Sequence, residues 1–352
     1  MKKTKVRLGN RPVGEGEPVF IICEGGVTNY GELELAKRQV DAAYNARADI
    51  IKFQAAKTEN LISKKVAKRL EKEMGYDWFA RVKYKELTFD ELRELARYVA
   101  TGNWPFFATA HEEEALDFID KKLNQPFFKI GSGESHNYEF LKNVGSRGKP
   151  IIISFGLQSD KEIIKAIKTL ESVGAKDIIV LHTTTLYPTP YDIAALPRML
   201  HLKELTGYPV GISDHTVGWH VVLGAVALGA AVVEKHLTFG KSDTRSLDNA
   251  GALLPDEFSE MVKQIRDLEK SLKDIPEKER QKLLAVGRDW AGQSLIAKKD
   301  LPAGTVLKRS MITFKRPARG GLEPEHLERV LGKKVKKKIE SDEQILKKYL
   351  SN

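Results

Sequence analysis
The sequence predicts an α/β fold: a (β/α)8 TIM barrel followed by a small, mostly β domain. Three observations predict it. Eight short apolar runs alternate with longer helix-like segments between residues 19 and 272. Nearly every run ends in polar residues, as expected where parallel strands deliver their C-terminal ends to one rim. From about Ser294 the pattern changes to short β-like runs with Pro-Ala-Gly turns. An open doubly wound sheet is the structural alternative, but it would concentrate its polar residues at a switch point.

The first strand is 19–26 (VFIICEGG), followed by a helix over 31–46. The second is 49–54 (DIIKFQ); a polar helical excursion through Lys85 and the helix LTFDELRELARYVATG follow. The third is 105–110 (PFFATA), before HEEEALDFIDKKL, and the fourth is 127–134 (FFKIGSGE), before NYEFLKNVGSRG. The fifth is 150–156 (PIIISFG) and the sixth 177–185 (DIIVLHTTT), each with a helix behind it. The last two lie in GISDHTVGWHVVLGAVALGAAVVEKHLT (211–238), and PDEFSEMVKQIRDLEKSL closes the barrel. This places a barrel domain at 1–272, a charged linker helix at 273–293 and the small domain at 294–352.

Composition narrows the function. The 352 residues carry a formal net charge of +10, much of it in GKKVKKKIESDEQILKKY. No aromatic residues interleave with the lysines of that stretch, and acids dilute them, which argues against nucleic-acid binding. No long apolar run predicts a membrane span, and the basic N-terminus lacks the apolar core of a secretory signal. The single cysteine, Cys23, excludes an internal disulfide and fits a cytoplasmic protein.

The strand ends carry the chemistry. Glu24 ends the first strand, Lys52 and Gln54 the second, and Thr109 the third. Lys129, Ser132 and Glu134 end the fourth and Ser154 the fifth; Tyr187 lies just beyond the sixth. Ser213, Asp214 and His215 end the seventh, Glu234 and His236 the eighth. A lysine within an apolar run is expensive unless partnered. Two of them with nearby serines predict a pocket for a phosphate or carboxylate rather than an internal salt bridge. Two histidines after consecutive strands, each beside a carboxylate, are candidate ligands for one divalent ion; two separate histidines are the plainer alternative.

The segments IKFQ, FFKIGSGE, KPIIISFGLQS, LHTTTLYPTP, GISDHTVGW and LGAAVVEKHLT together resemble the sialic acid (nonulosonate) synthases. SLIAKKDLPAGTVL, KRP at 315–317 and LGKKV resemble that family's C-terminal antifreeze-like, or SAF, domain. The resemblance implies condensation of phosphoenolpyruvate with an N-acyl hexosamine, giving a nonulosonic acid and phosphate. It implies that His215 and His236 hold a divalent metal, Mn2+ first, with Mg2+ or Co2+ as alternatives. Lys52, Gln54, Thr109, Lys129, Ser132, Ser154 and Ser213 would bind phosphoenolpyruvate. Glu134 and Glu24 would be catalytic, with Glu24 also at the sugar. Tyr187, Asp248 and Arg316 would contact the sugar, with Asp243 competing for the role of Asp248. Arg316 would act from a partner, in a homodimer whose SAF domains close each other's barrels.

Several sugar-side positions depart from the family's pattern. Thr28-Asn29 stands where an Asn-His pair is usual, and Thr109-Ala110-His111-Glu112 where Thr-Pro-Phe-Asp is usual. SDTRSLDNAG (242–251) replaces Gly-Pro-Asp-His. These departures predict the same chemistry on an acceptor other than N-acetylmannosamine, such as a di-N-acetylated or 6-phosphorylated sugar. The rival readings are a pyruvate-dependent Schiff-base aldolase and a non-catalytic sugar-binding barrel.

Overall fold
The eight apolar runs are the eight strands of a closed parallel barrel. The computed structural model describes residues 4–351. A hairpin of β1 (Lys5–Leu8) and β2 (Arg11–Gly14) comes first. The barrel strands are β3 (Phe20–Gly26), β4 (Ile50–Ala55), β5 (Ala108–Ala110), β6 (Phe128–Ile130), β7 (Ile151–Phe155), β8 (Ile178–Thr183), β9 (Val210–Asp214) and β10 (Val232–His236). They neighbour in chain order, and β10 closes on β3.

Side chains alternate along each strand. Ile21, Cys23, Ile51, Phe53, Ile151, Ile153, Val180 and Val233 join the main core, packed with the apolar faces of the helices. Phe20, Ile22, Ile50, Phe107, Phe127, Ile152, Ile179 and Val232 form a separate cluster inside the barrel, at and just before the strands' N-terminal ends. The same parity turns Glu24, Lys52, Lys129, Ser154, Ser213, Glu234 and His236 inward, one layer further toward the C-terminal rim. Val6, Leu8 and Val13 of the hairpin belong to the interior cluster, so the hairpin seals the N-terminal end. Capping boxes, Thr88 with Glu91 and Ser159 with Glu162, start the helices Phe89–Thr101 and Asp160–Ser172 where the sequence places them.

Three strands are shorter than expected: 105–110 contracts to Ala108–Ala110, 127–134 to Phe128–Ile130 and 177–185 to Ile178–Thr183. In the last two the polar ends leave the ladder and turn over the rim; the Glu134 amide, for instance, donates to the Gly131 carbonyl at 3.3 Å. The stretch 105–110 instead loses its apolar start and keeps Thr109 and Ala110 in the ladder. The hairpin was not expected, although Val6 and Leu8 alternate with polar residues before a two-residue Gly9-Asn10 turn with Gly9 at φ 57°.

The chain divides into two compact units, Met1–Leu272 and Lys273–Asn352. The second unit begins with the helix Glu277–Ala291, within the stretch expected to be a linker. It continues with the antiparallel pair β11 (Ser294–Ala297) and β12 (Ile312–Lys315). Its own core includes Leu295, Leu301, Leu307, Ile312, Val335 and Ile345. Among the described residues no helix is long and apolar enough to cross a membrane.

Candidate active site
A cavity of about 640 Å3 opens at the C-terminal rim of the barrel. Glu24, Lys52, Gln54, Thr109, Lys129, Ser132, Glu134, Ser154, Tyr187, Ser213, His215 and His236 all line it, and Glu234 joins them. Of the buried polar side-chain atoms without a partner among the described residues, most belong to this region. They are Glu24 Oε1, His111 Nε2, Glu134 Oε2, Thr185 Oγ1, Glu234 Oε2, His236 Nδ1 and Asp248 Oδ2. Buried polar groups are otherwise nearly always satisfied, so such a concentration marks a place built for a polar ligand.

The two lysines form the floor. Lys52 Nζ is ion-paired with Glu24 Oε2 and donates to Thr109 Oγ1 at 2.9 Å. Lys129 Nζ donates to Ser154 Oγ at 2.7 Å and to the Ile130 carbonyl at 3.1 Å. Glu234 lies between them, 3.9 Å from Lys52 Nζ and 3.8 Å from Lys129 Nζ, and accepts from Ser213 Oγ at 2.9 Å. The expectation of two lysines free of internal salt bridges is therefore corrected. Two buried ammonium groups cost too much without compensating carboxylates, and Glu24 and Glu234 supply them.

These carboxylates are driven apart. Burial pushes the Glu24 carboxyl up to about 7 against the pull of Lys52, with Glu234 adding to the rise. Burial acts upward on Glu234 too, but Lys129 and Lys52 outweigh it and hold that carboxyl well below its usual range. Burial lowers the Lys129 ammonium. At Lys52 burial is overcome by Glu234 and Glu24, and the ammonium is raised.

Above the floor stand the two histidines, ring centroids 5.3 Å apart. His215 Nδ1 lies 3.0 Å from the Thr184 carbonyl, which accepts its proton and leaves Nε2 as the ligating nitrogen. Burial, then the neighbouring His236, lowers His215 to about 4; burial lowers His236 to about 3. Both rings are thus neutral at neutral pH, the form that binds metal. Tyr187 packs on both, at 4.1 and 6.0 Å between centroids.

Asp248 reaches the site, its Oδ2 3.7 Å from His236 Nδ1. A Cβ at Gly26, which has φ 49°, would meet Glu24 Oε1, His236 Nδ1 and Asp248 Oδ2 at 3.1–3.4 Å, so bare backbone underlies that polar cradle. Asp243 is instead engaged by Arg245 at 2.7 Å. At Gly156, a Cβ would lie 2.6 Å from Thr183 Cγ2 and 3.1 Å from Ser132 Oγ, filling the pocket beside the serines. Glu134 Oε1 lies 3.0 Å from His111 Nδ1. Arg316 is exposed in the second unit, just after β12.

The chain matches the NeuB family over residues 39–277 and the SAF domain over residues 292–350. The chain belongs to the NeuB family. Among its relatives, the N,N'-diacetyllegionaminic acid synthase of Campylobacter jejuni is 36% identical, with 93% of this chain and 98% of that protein covered. The human N-acetylneuraminate-9-phosphate synthase is 32% identical over 97% of this chain and 95% of its own. A crystal structure of the N-acetylneuraminic acid synthetase of Leptospira borgpetersenii in complex with citrate superposes with a TM-score of 0.70 at 29% identity, covering 80% of this chain and 96% of that one.

Within this NeuB-family barrel, sequence reading names Glu234 at its strand end without assigning it a role, and assigns none to His111, Thr183 or Thr185. Glu234 has the inward parity of His236, which was a usable signal. His111 stood out only as a departure from the family's pattern, and nothing in the sequence links it to Glu134.

Proposed function
We propose that this NeuB-family chain condenses phosphoenolpyruvate with an N-acyl hexosamine, yielding a nonulosonic acid and phosphate. The observation that carries this is the cavity in which two lysines, three serines, two neutral histidines and three carboxylates, one raised and two lowered, meet. Lys129 and Lys52, with Ser132, Ser154 and Ser213, hold the phosphate and carboxylate of phosphoenolpyruvate, beside Gln54 and Thr109. Their charge stabilises the phosphate as it leaves. Tyr187, Asp248 and Glu24 orient the acceptor. Carbon 3 of the enol phosphate bonds to the aldehyde carbon, and Glu24, its carboxyl pushed up to about 7 by burial, exchanges its proton near neutrality and gives one to the new hydroxyl oxygen. Water then adds to carbon 2 and phosphate departs.

The residues present fit a divalent ion. His215 is tautomerically fixed by Thr184, His236 Nδ1 has no partner among the described residues, and both rings are neutral. Among the described residues no group of three His, Cys, Asp or Glu side chains could hold a metal alone, so His215 and His236 would share the ion with substrate or water oxygens. Imidazole ligation favours Mn2+ or Co2+ over Mg2+. Such an ion supplies Lewis-acid polarisation of the aldehyde oxygen. We further propose a homodimer in which Arg316 reaches the acceptor in the other subunit's barrel.

The test is phosphate release from phosphoenolpyruvate with Mn2+, across N-acyl hexosamines and their 6-phosphates, with and without EDTA. Release that needs both metal and one acceptor supports the proposal; a folded protein that releases none with any acceptor refutes it. The lowered Lys129 ammonium favours one rival, a Schiff-base aldolase. Borohydride with pyruvate would trap an adduct on Lys129 in that case and leave the chain unmodified in ours.

A further inference from the structure
We propose that His111 is a positioning residue that holds Glu134 as the base for the attacking water. The inference rests on the condensation proposed above. His111 lies one residue past β5 and Glu134 four past β6, on neighbouring strands of the rim. Its Nδ1 is 3.0 Å from Glu134 Oε1, and the two side chains are only 18% and 14% exposed. A pair so sheltered is worth more than a surface ion pair, because little water competes for the hydrogen bond.

Both partners are fixed from behind. The His111 amide donates to the Ala55 carbonyl at 3.1 Å, tying the residue to the end of β4. The next side chain, Glu112, accepts from the amides of Glu114, Ala115 and Lys57, which pins the loop. On the other side, a Cβ at Gly131 would lie 2.7 Å from Glu134 Oε2, so the carboxylate rests on bare backbone with no room to swing toward β6. With Oε1 taken by His111, Oε2 has no partner among the described residues and is the oxygen left for water.

The titratable groups facing Glu134 are His111 and Lys129. Lys129 is already engaged by Ser154 and the Ile130 carbonyl. Burial acts to raise the Glu134 carboxyl, but His111 outweighs it, and Lys129 adds to the lowering. Glu134 is thereby kept ionised, whereas Glu24 in the same pocket is pushed the other way; such a divergence separates base from acid. The proton balance closes. As the water oxygen bonds to carbon 2, its proton passes to Glu134. As the bond between carbon 2 and the phosphate oxygen breaks, Glu134 returns that proton to the departing phosphate, and the remaining hydroxyl proton leaves carbon 2's oxygen as the keto group forms, replacing the one that Glu24 gave to the acceptor oxygen.

The test compares H111L, H111A and H111N (whose side-chain amide nitrogen takes the position of Nδ1) in the full-length protein. We expect H111L and H111A to lower kcat about tenfold or more, the scale of one charge-assisted hydrogen bond. The KM for phosphoenolpyruvate should stay within about twofold, since His111 touches none of the proposed phosphate-binding groups. The acid limb of kcat/KM should move to higher pH, and H111N should recover most of kcat. Independently of turnover, the infrared carboxylate band isolated by subtracting E134Q should titrate at higher pH in H111L. Wild-type kcat with an unmoved acid limb in H111L and H111A would overturn the proposal, as would an unchanged infrared titration. If the wild-type protein releases no phosphate with any acceptor, the reaction is misassigned, while the infrared measurement still decides whether His111 holds Glu134.

Discussion
Burial of two neutral imidazoles makes acid a specific threat to this fold. An unfolded histidine takes up its proton near 6.5, but His215 and His236 resist until about 4 and about 3. Between those values the unfolded chain binds more protons, so this stability is full above about 6.5 and is lost as pH falls. Each ring contributes a slope of about 1.4 kcal/mol per pH unit. Glu24 works in the opposite sense: its folded value of about 7 lies above the ordinary carboxyl value, so its contribution is present at low pH and is lost as pH rises toward 7. Asp248, whose carboxyl burial also raises, works in the same sense as Glu24, so the histidine terms appear as a difference between the protein and its histidine variant from pH 6.5 to 4.5. Urea midpoints of the metal-free protein should fall more, or rise less, over that window than those of H215Q/H236Q. An unchanged slope in that variant would show that these rings are not its source.

At the scale of elements, the hairpin of β1 and β2 is the part most readily tested by packing. Leu8 is 2% exposed within the interior cluster. Truncation in L8A should cost about 2–4 kcal/mol, read as a lower thermal midpoint, while the chemistry at the opposite rim is left in place. The strands themselves were legible because each is an apolar run with a polar end, and alternation alone puts Lys52, Lys129 and Ser154 inside. The same rule applied backward from His236 turns Glu234 inward as well. What could not be read is which inward groups pair with one another. The contacts Lys52 to Glu24, and His111 to Glu134, depend on how far each strand slides past its neighbour and where it leaves the ladder, and residue order does not encode that directly. The hairpin escaped because its strands of four residues carry too few alternations to stand out.

At the scale of the whole molecule, the separate cores of the two units make each a candidate for independent folding. The proposed role of Arg316 then has a sharp consequence. E134Q and R316A should each be inactive as homodimers. Co-expressed, they should regain about a quarter of wild-type activity, since half the dimers are mixed and each mixed dimer has one intact site. No recovery in verified mixed dimers would place Arg316 within its own barrel or outside the chemistry.

Val6, Leu8 and Val13, stopping the far end of the barrel, turn the cavity into a blind well with one doorway. Cargo in such a vessel must queue. A guest seated on Lys129 at the bottom has to enter before one lodged against Tyr187, and the way out is clear for it only after the upper guest has gone. Rapid-mixing experiments should therefore find that pre-loading the acceptor slows the entry of phosphoenolpyruvate, while the reverse order costs nothing.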